Sequence, residues 1–360
     1  MSQQIKQKPD QINIIFLYTR LADYFYQCIV HLVNEHNINA HIVCKSPDIN
    51  APYKFADNKK IRIINDTEFK STLYLWSWIK SVSPNAIYIS GWNNLKYLII
   101  AIYYSKKIPT IIGLDNPWIG SFKQYILSGI GNITISHMFS HCWVAGPPQY
   151  VYAKKLGFKY HNILKGLYCA NIPSFKHGFK QSSNREKKII FVGRFVEYKK
   201  PIQLVKVFSK ILCDNKNNDW SLELIGNGPL KKELIEYECD KIIISEFLDP
   251  IHLPAKFAQA SFLCLPSSQE HWGVVVHEAV ASGLGLILSD TVYSFTSFLI
   301  HGHNGFLFKD GNWEQLEETL IKVFNLNQDL LNDIHNLSQH LANSITHDYW
   351  SRNLLSTLIK

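Results

Sequence analysis

The sequence is short of charge, of paired cysteines and of long apolar runs. Only 18% of its 360 residues are charged, against 46% apolar and 13% aromatic. Its longest apolar patch, YLIIAIYY at Tyr97 to Tyr104, falls far below the ~20 residues that span a bilayer, so no transmembrane helix is expected. No charged start is followed by an apolar run and a small-residue cleavage site, and secretion is not expected. The seven cysteines are scattered and include no C-x-x-C pair. An odd, unpaired set reads as buried thiols in a reducing compartment, not as a disulfide framework. The expectation is a cytoplasmic protein with enough chain for two cores of ordinary size.

What charge there is lies unevenly. The net charge is +8, yet residues 1–180 hold 20 Lys and Arg against 8 Asp and Glu, and residues 181–360 hold 17 against 21. A basic first half suggests a partner with a negative surface, such as an anionic membrane, unless a general bias toward lysine accounts for it.

Continuous β-branched and aromatic runs recur in the first half, at Ile12 to Thr19, Ala40 to Lys45, Ile61 to Ile64, Ala86 to Ser90, Thr110 to Asp115 and His141 to Gly146. Continuous rather than alternating apolar runs are those of parallel strands buried on both faces. The segments between them have helical length and periodicity, the βαβ pattern of a doubly wound sheet. The chain turns polar at Lys180 to Lys188, and the pattern restarts at Ile189 to Arg194, Ser221 to Gly226, Lys241 to Ser245, Ser261 to Ser267 and Gly285 to Asp290. This predicts an α/β protein of two Rossmann-like domains, residues 1–180 and 188–342, facing a deep cleft. A helix within 345–360 is expected to lean back across the boundary.

Three stretches of the second domain carry chemistry. FVGRFVEYKK ends a strand at Gly193 and places Arg194 and Lys199 just beyond it. A planar fork and a compact ammonium suit a diphosphate, though alone they read as a solvated basic turn. LIGNGPLKKEL has Gly226 and Gly228 in a tight turn before Pro229. SSQEHWGVVVHEAVASG, Ser267 to Gly283, predicts a loop followed by a helix from Gly273. The free amides of such a helix start attract an anion. Glu270 before it and Glu278 inside it can each accept bonds from neighbouring hydroxyls. One anion site with two diol acceptors describes a nucleotide-sugar; the alternative is a buried helix with salt-bridged glutamates.

These residues resemble the nucleotide-sugar domain of family 4 glycosyltransferases, which have the GT-B fold. The match runs over roughly residues 188–310: Gly193-Arg194 with Lys199, the Gly226 to Pro229 turn, Pro266-Ser267 through Glu270, Gly273, Glu278-Ala279 and Gly283, and the late strand NGFLF at Asn304 to Phe308. The resemblance implies a retaining enzyme that needs no metal or other cofactor and moves a sugar from a nucleoside diphosphate to a hydroxyl. Arg194 and Lys199 would stabilise the departing diphosphate, and Gly273 with the following amides, Val274 among them, would hold its oxygens. Glu278 would bind the ribose and Glu270 the sugar. Gly226, Phe247, Leu248 and Trp272 complete the expected donor site. No D-x-D metal motif occupies the cleft positions.

The first half departs from the family. A Gly-rich loop is replaced by YTRLADYF, with Arg20 and Asp23, and the usual histidine after the fifth strand is replaced by Asp115. Asp115 is either a catalytic substitute or a turn cap. With Trp92, these residues form the expected acceptor site. The base-contacting turn reads Phe247-Leu248-Asp249, which leaves UDP-sugars as the first expectation and GDP-sugars as the second. Expected partners are therefore the nucleotide-sugar, a carbohydrate or lipid-linked saccharide acceptor and an anionic membrane face, with no nucleic acid. A silent nucleotide-sugar-binding subunit that activates a partner is the alternative outside catalysis. The histidines of HMFSHCW (His137, His141, with Cys142) and HGHNG (His301, His303) lack zinc-like spacing and read as polar turns. The aromatic segment Trp118 to Phe139 reads as a buried helix in preference to a membrane-surface one.

Overall fold

The computed structural model describes residues 11–46, 55, 58–177, 185–214 and 218–359. Among the described residues, thirteen strands form two wholly parallel sheets. The first contains β1 (Ile12–Arg20), β2 (Ile38–Lys45), β3 (Ile61–Asn65), β4 (Ala86–Ile89), β5 (Thr110–Leu114), β6 (His141–Val144) and β7 (Ile163–Lys165), in the order 3-2-1-4-5-6-7. The second contains β8 (Lys188–Val192), β9 (Ser221–Ile225), β10 (Ile242–Ser245), β11 (Phe262–Leu265), β12 (Gly285–Ser289) and β13 (Gly305–Phe308), in the order 10-9-8-11-12-13. Both are doubly wound orders that reverse beside the first strand of the sheet. In such sheets a ligand crevice opens at that reversal, outside the strand carboxyl ends. The expected runs all appear as strands; β7, only three residues long, is the one they did not include.

The helices of the first half are α1 (Asp23–Glu35), α2 (Thr72–Val82), α3 (Leu95–Tyr104), α4 (Phe122–Gly131), α5 (Ile135–Met138), α6 (Pro147–Lys155) and α7 (Ile172–His177). Those of the second are α8 (Pro201–Asp214), α9 (Lys231–Ile235), α10 (Leu253–Gln259), α11 (Val274–Ala281), α12 (Phe295–Phe298), α13 (Trp313–Phe324), α14 (Gln328–Ala342) and α15 (His347–Ser356). Although α7 precedes residue 180, it packs on α10 and α11. Residues 180–184 of the expected linker lie outside the described residues. Its end is built into the second layer: buried Arg185 donates to the carbonyls of Phe257, Ala260 and Ser282. That satisfies three acceptors which burial would otherwise leave without partners.

The chain returns to the first sheet through α15, which packs on α1. Trp350 of α15 is fully buried between Phe25 and Trp143, and its indole N–H donates 2.9 Å to the Leu167 carbonyl. Truncating a core tryptophan costs about 3–5 kcal/mol, enough to hold a terminal helix in place.

Two expectations fail here. The thiols are not all buried: Cys213 and Cys239 are exposed. The aromatic segment is not a buried helix either. Along α4 and just after it Phe122, Tyr125, Ile126, Ile130 and Ile133 stand in solvent, with Phe122 80% and Ile133 76% exposed. Sequence hydrophobicity implied burial, but α4 packs on α5 and α6 and leaves these apolar side chains on the outside.

Candidate functional site

The site grows from the loops after β8 and β11, adjacent strands at the reversal of the second sheet. Beyond β8 the chain turns through Gly193 and Arg194 into a short 3-10 turn at Glu197–Lys199. Beyond β11 it runs from Pro266 to Gly273. The Ser268 N–H and hydroxyl both donate to the Tyr198 carbonyl, at 2.8 and 3.2 Å. This clamp brings the Lys199 ammonium directly onto the Glu270 carboxylate, with each side chain 15% exposed. Burial, and then the Arg194 charge, pull Lys199 down to about 8, while the contact with Glu270 favours its charged form. Arg194 is exposed to the cleft and donates to the Tyr198 hydroxyl.

Gly273 caps α11 with φ +80°, a left-handed conformation that disfavours any side chain. Val274 and Val275 follow it along the cleft wall, and the first amides of a helix have no helical acceptor. No acidic side chain lies in that first turn, so its positive end is left for a ligand anion.

Two chambers open between the domains. One, of about 360 Å³, contains Gly193, Arg194, Lys199, Gly226, Phe247, Leu248, Glu270, Gly273, Val274 and Glu278, with Asp23 from the first domain. The other, of about 550 Å³, adds Trp272, Asp115, Tyr168 and His271. Arg194, Lys199, Glu270 and Tyr24 line both, so the ion pair stands where the chambers meet. The structure thus brings together every residue expected on the donor side, and Asp23 and Asp115 of the acceptor side.

Of the residues expected on the acceptor side, Arg20 and Trp92 do not line these two chambers. β1 runs one residue further than expected and sets Arg20 beside Lys45 of β2. Trp92 packs edge-on against Tyr152, 6.3 Å between ring centres. Asp115 lies just past β5 and accepts a 3.2 Å bond from the Tyr168 hydroxyl.

The Glu278 carboxyl has no hydrogen bond or ion pair among the described residues. Burial, and then the charge of Asp23, push it up from 4.5 to about 8. Asp23 is itself raised, chiefly by burial, although Gln27 donates to it at 3.0 Å. An acid raised in this way costs the folded state nothing below its ordinary value. The cost grows as pH rises from 4.5 toward about 8, because the unfolded state ionises while the folded state keeps its proton, and it levels off above 8, where the folded state carries the unpaired charge. Glu278→Gln is therefore expected to melt higher than the parent at about pH 8.5, with the gap closing near pH 5. Thermal melts at the two pH values check this; an equal gap at both would exclude burial of the charge as its cause.

Several site-building residues gave no sequence signal. Gln149 at the start of α6 is fully buried and donates to the carbonyls of Asp115, at 3.0 Å, and His271, at 2.7 Å, tying the two cleft walls together. Trp272 lies against Gly146, where a Cβ would come within 2.2 Å of its ring; only glycine allows that approach. His277 on α11 accepts from the Ala170 N–H at 3.1 Å through Nδ1 and donates to the Ala342 carbonyl at 2.9 Å through Nε2. Burial lowers it to about 4, so it stays neutral and pins α11 to both strands of chain that cross between domains.

Comparison with known proteins finds its family match in this second domain. Residues 174–340 match the family described as Glycosyl transferases group 1. The glycosyltransferase match extends to individual proteins. An uncharacterized glycosyltransferase of Haemophilus influenzae is 27% identical over 172 residues, 47% of each chain, so this chain spans about half the length of that relative. A Campylobacter jejuni enzyme named as an α-1,4-N-acetyl-D-galactosaminyltransferase acting on an undecaprenol-linked saccharide is 24% identical over 246 residues, 67% of this chain and 65% of its own. Among solved structures, Anabaena HepE in complex with UDP superposes with a TM-score of 0.71 at 14% identity, covering 96% of this chain and 99% of that one. Sucrose-phosphate synthase of Thermosynechococcus elongatus gives 0.71 at 14% identity, covering 96% and 97%. The fold is GT-B.

Proposed function

We propose that this protein is a retaining glycosyltransferase that moves a sugar from a nucleoside diphosphate to a hydroxyl of a carbohydrate or lipid-linked saccharide, in surface polysaccharide or glycolipid synthesis. One observation carries the reading: the Lys199–Glu270 pair, Arg194 and the open end of α11 converge where two chambers meet. The base fits the apolar slot of Phe247, Leu248 and Leu253, and the ribose lies on Glu278. The diphosphate is held by Arg194, Lys199 and the amides of Val274 and Val275. The sugar then extends past Glu270 toward Asp115, where the acceptor enters. The anomeric carbon–phosphate oxygen bond breaks with its electron pair on the diphosphate. The acceptor oxygen forms the new bond and its proton passes to the site. Cations and helix amides placed for that charge are stabilisers that act most strongly in a dry cleft. UDP-sugars are the first donors to try and GDP-sugars the second.

The outer surface of the first domain supports a lipid-linked acceptor. The exposed apolar side chains of α4 lie beside Trp118, over whose ring the Lys155 ammonium sits at 4.5 Å, in a basic half of the chain. Apolar anchors with interspersed cations suit an anionic lipid surface. A panel of nucleotide-sugars tests the whole reading, offered with short-chain and lipid-linked acceptors in anionic or neutral vesicles. One donor should turn over, Glu270→Ala should abolish turnover, and transfer on anionic vesicles should fall with salt. Binding without turnover, unaffected by Glu270→Ala, would instead indicate a silent subunit. Equal transfer on neutral vesicles would exclude the membrane part alone.

A further inference from the structure

Away from the cleft, three chemically soft side chains meet that the chain keeps far apart in sequence. Cys28 lies in the middle of α1, Cys169 follows β7 in the segment that crosses between the sheets, and His347 opens α15. One potential ligand atom from each lies within 4.8 Å of the others. Both cysteines are fully buried, and the buried His347 Nε2 has no hydrogen-bond partner among the described residues.

We propose that Cys28, Cys169 and His347 form a structural site for one Zn(II)-class cation. A buried imidazole nitrogen without a partner is destabilising, and a cation bound by the three groups would relieve that cost. Two thiols alone would suit a disulfide, but a disulfide leaves the imidazole unsatisfied, whereas a metal uses all three. Charge points the same way: two thiolates and a dication sum to zero, the balance a dry interior favours. Tetrahedral zinc takes a fourth ligand, and the Ile345 carbonyl, 3.4 Å from the Cys169 sulfur, is at hand. In the binding step two metal–sulfur bonds and one metal–nitrogen bond form. Two thiol protons leave to solvent, and nothing is oxidised or reduced.

The groups around the trio fit this role. His31, 5.4 Å from His347 between ring centres, is engaged by Asp348 at 3.0 Å. A cation here would join α1, whose first residues Asp23 and Tyr24 line the cleft, to the crossover and to α15. It would stiffen the first-domain wall of the cleft without touching the donor.

The test uses the full chain, stripped of metal under reducing conditions and titrated with Zn(II), and separately with Co(II) as a spectroscopic stand-in. One equivalent of Zn(II) should bind with release of about two protons and should raise the melting temperature. Co(II) should give thiolate-to-metal charge-transfer absorption. Cys28→Ser, Cys169→Ser and His347→Gln should each weaken binding at least about tenfold. The Co(II) spectrum of the unsubstituted chain decides the matter should a serine variant fail to fold. Zinc bound undiminished by the Cys28→Ser/Cys169→Ser variant, cobalt without thiolate absorption, or a Cys28–Cys169 disulfide in metal-free protein purified in air would each overturn the proposal.

Discussion

Replacing Lys199 by alanine is expected to lower kcat for sugar transfer about 10²- to 10³-fold, the usual cost of removing one preorganised group from a developing anion. The departing diphosphate gains negative charge only as the glycosidic bond breaks, so an ammonium aimed at it acts more on the transition state than on the bound donor. The fall should therefore appear mainly in kcat. The same substitution strips Glu270 of its partner, and an unpaired, mostly buried carboxylate costs about 1–3 kcal/mol. A Lys199→Ala/Glu270→Gln double variant should recover stability without recovering activity. Steady-state kinetics beside thermal melts separates the two effects; a loss confined to KM would place Lys199 outside the reaction.

Gly273→Ala is the second large effect. Its φ of +80° carries a penalty of roughly 1–2 kcal/mol for a residue with a Cβ. The new Cβ would sit 3.1 Å from Glu270 Cγ, pressing on the carboxylate that Lys199 holds. Displacing a positioned group by about 1 Å can cost about 10²-fold in rate, so kcat/KM should fall by that order while melting drops only a few degrees. Unchanged kinetics in a folded Gly273→Ala variant would show that the loop from Glu270 to Gly273 does not set the geometry.

The sequence carried the two sheets because buried parallel strands are continuous apolar runs, and both domains kept that signal. It carried the donor side for a local reason. Arg194 and Lys199 stand five residues apart at one strand end, and Glu270, Gly273 and Glu278 flank one helix start. The opposite wall was far less legible. Gln149 acts by bridging Asp115 and His271, a role that depends on how two domains meet and leaves no spacing in the chain. The same holds for Gly146 under Trp272 and for Cys28, Cys169 and His347, separated by more than a hundred residues at each step. Arg20 and Trp92 fall outside the two chambers, because the end of β1 and the packing of Trp92 on Tyr152 depend on register and tertiary contact. The surface helix α4 was misread because apolar composition alone does not tell a core face from an exposed one.

The most direct measurement of the central claim is equilibrium binding of a nucleoside, its monophosphate and its diphosphate to the unsubstituted chain and to Lys199→Ala. The cradle of Arg194, Lys199 and the α11 amides predicts a steep gain in affinity at the diphosphate, at least about tenfold over the monophosphate, in line with charge-assisted bonds to the added oxygens. Most of that gain should vanish in Lys199→Ala, while nucleoside affinity stays unchanged. A diphosphate that binds no more tightly than the monophosphate, or a gain that survives the loss of Lys199, would contradict the account.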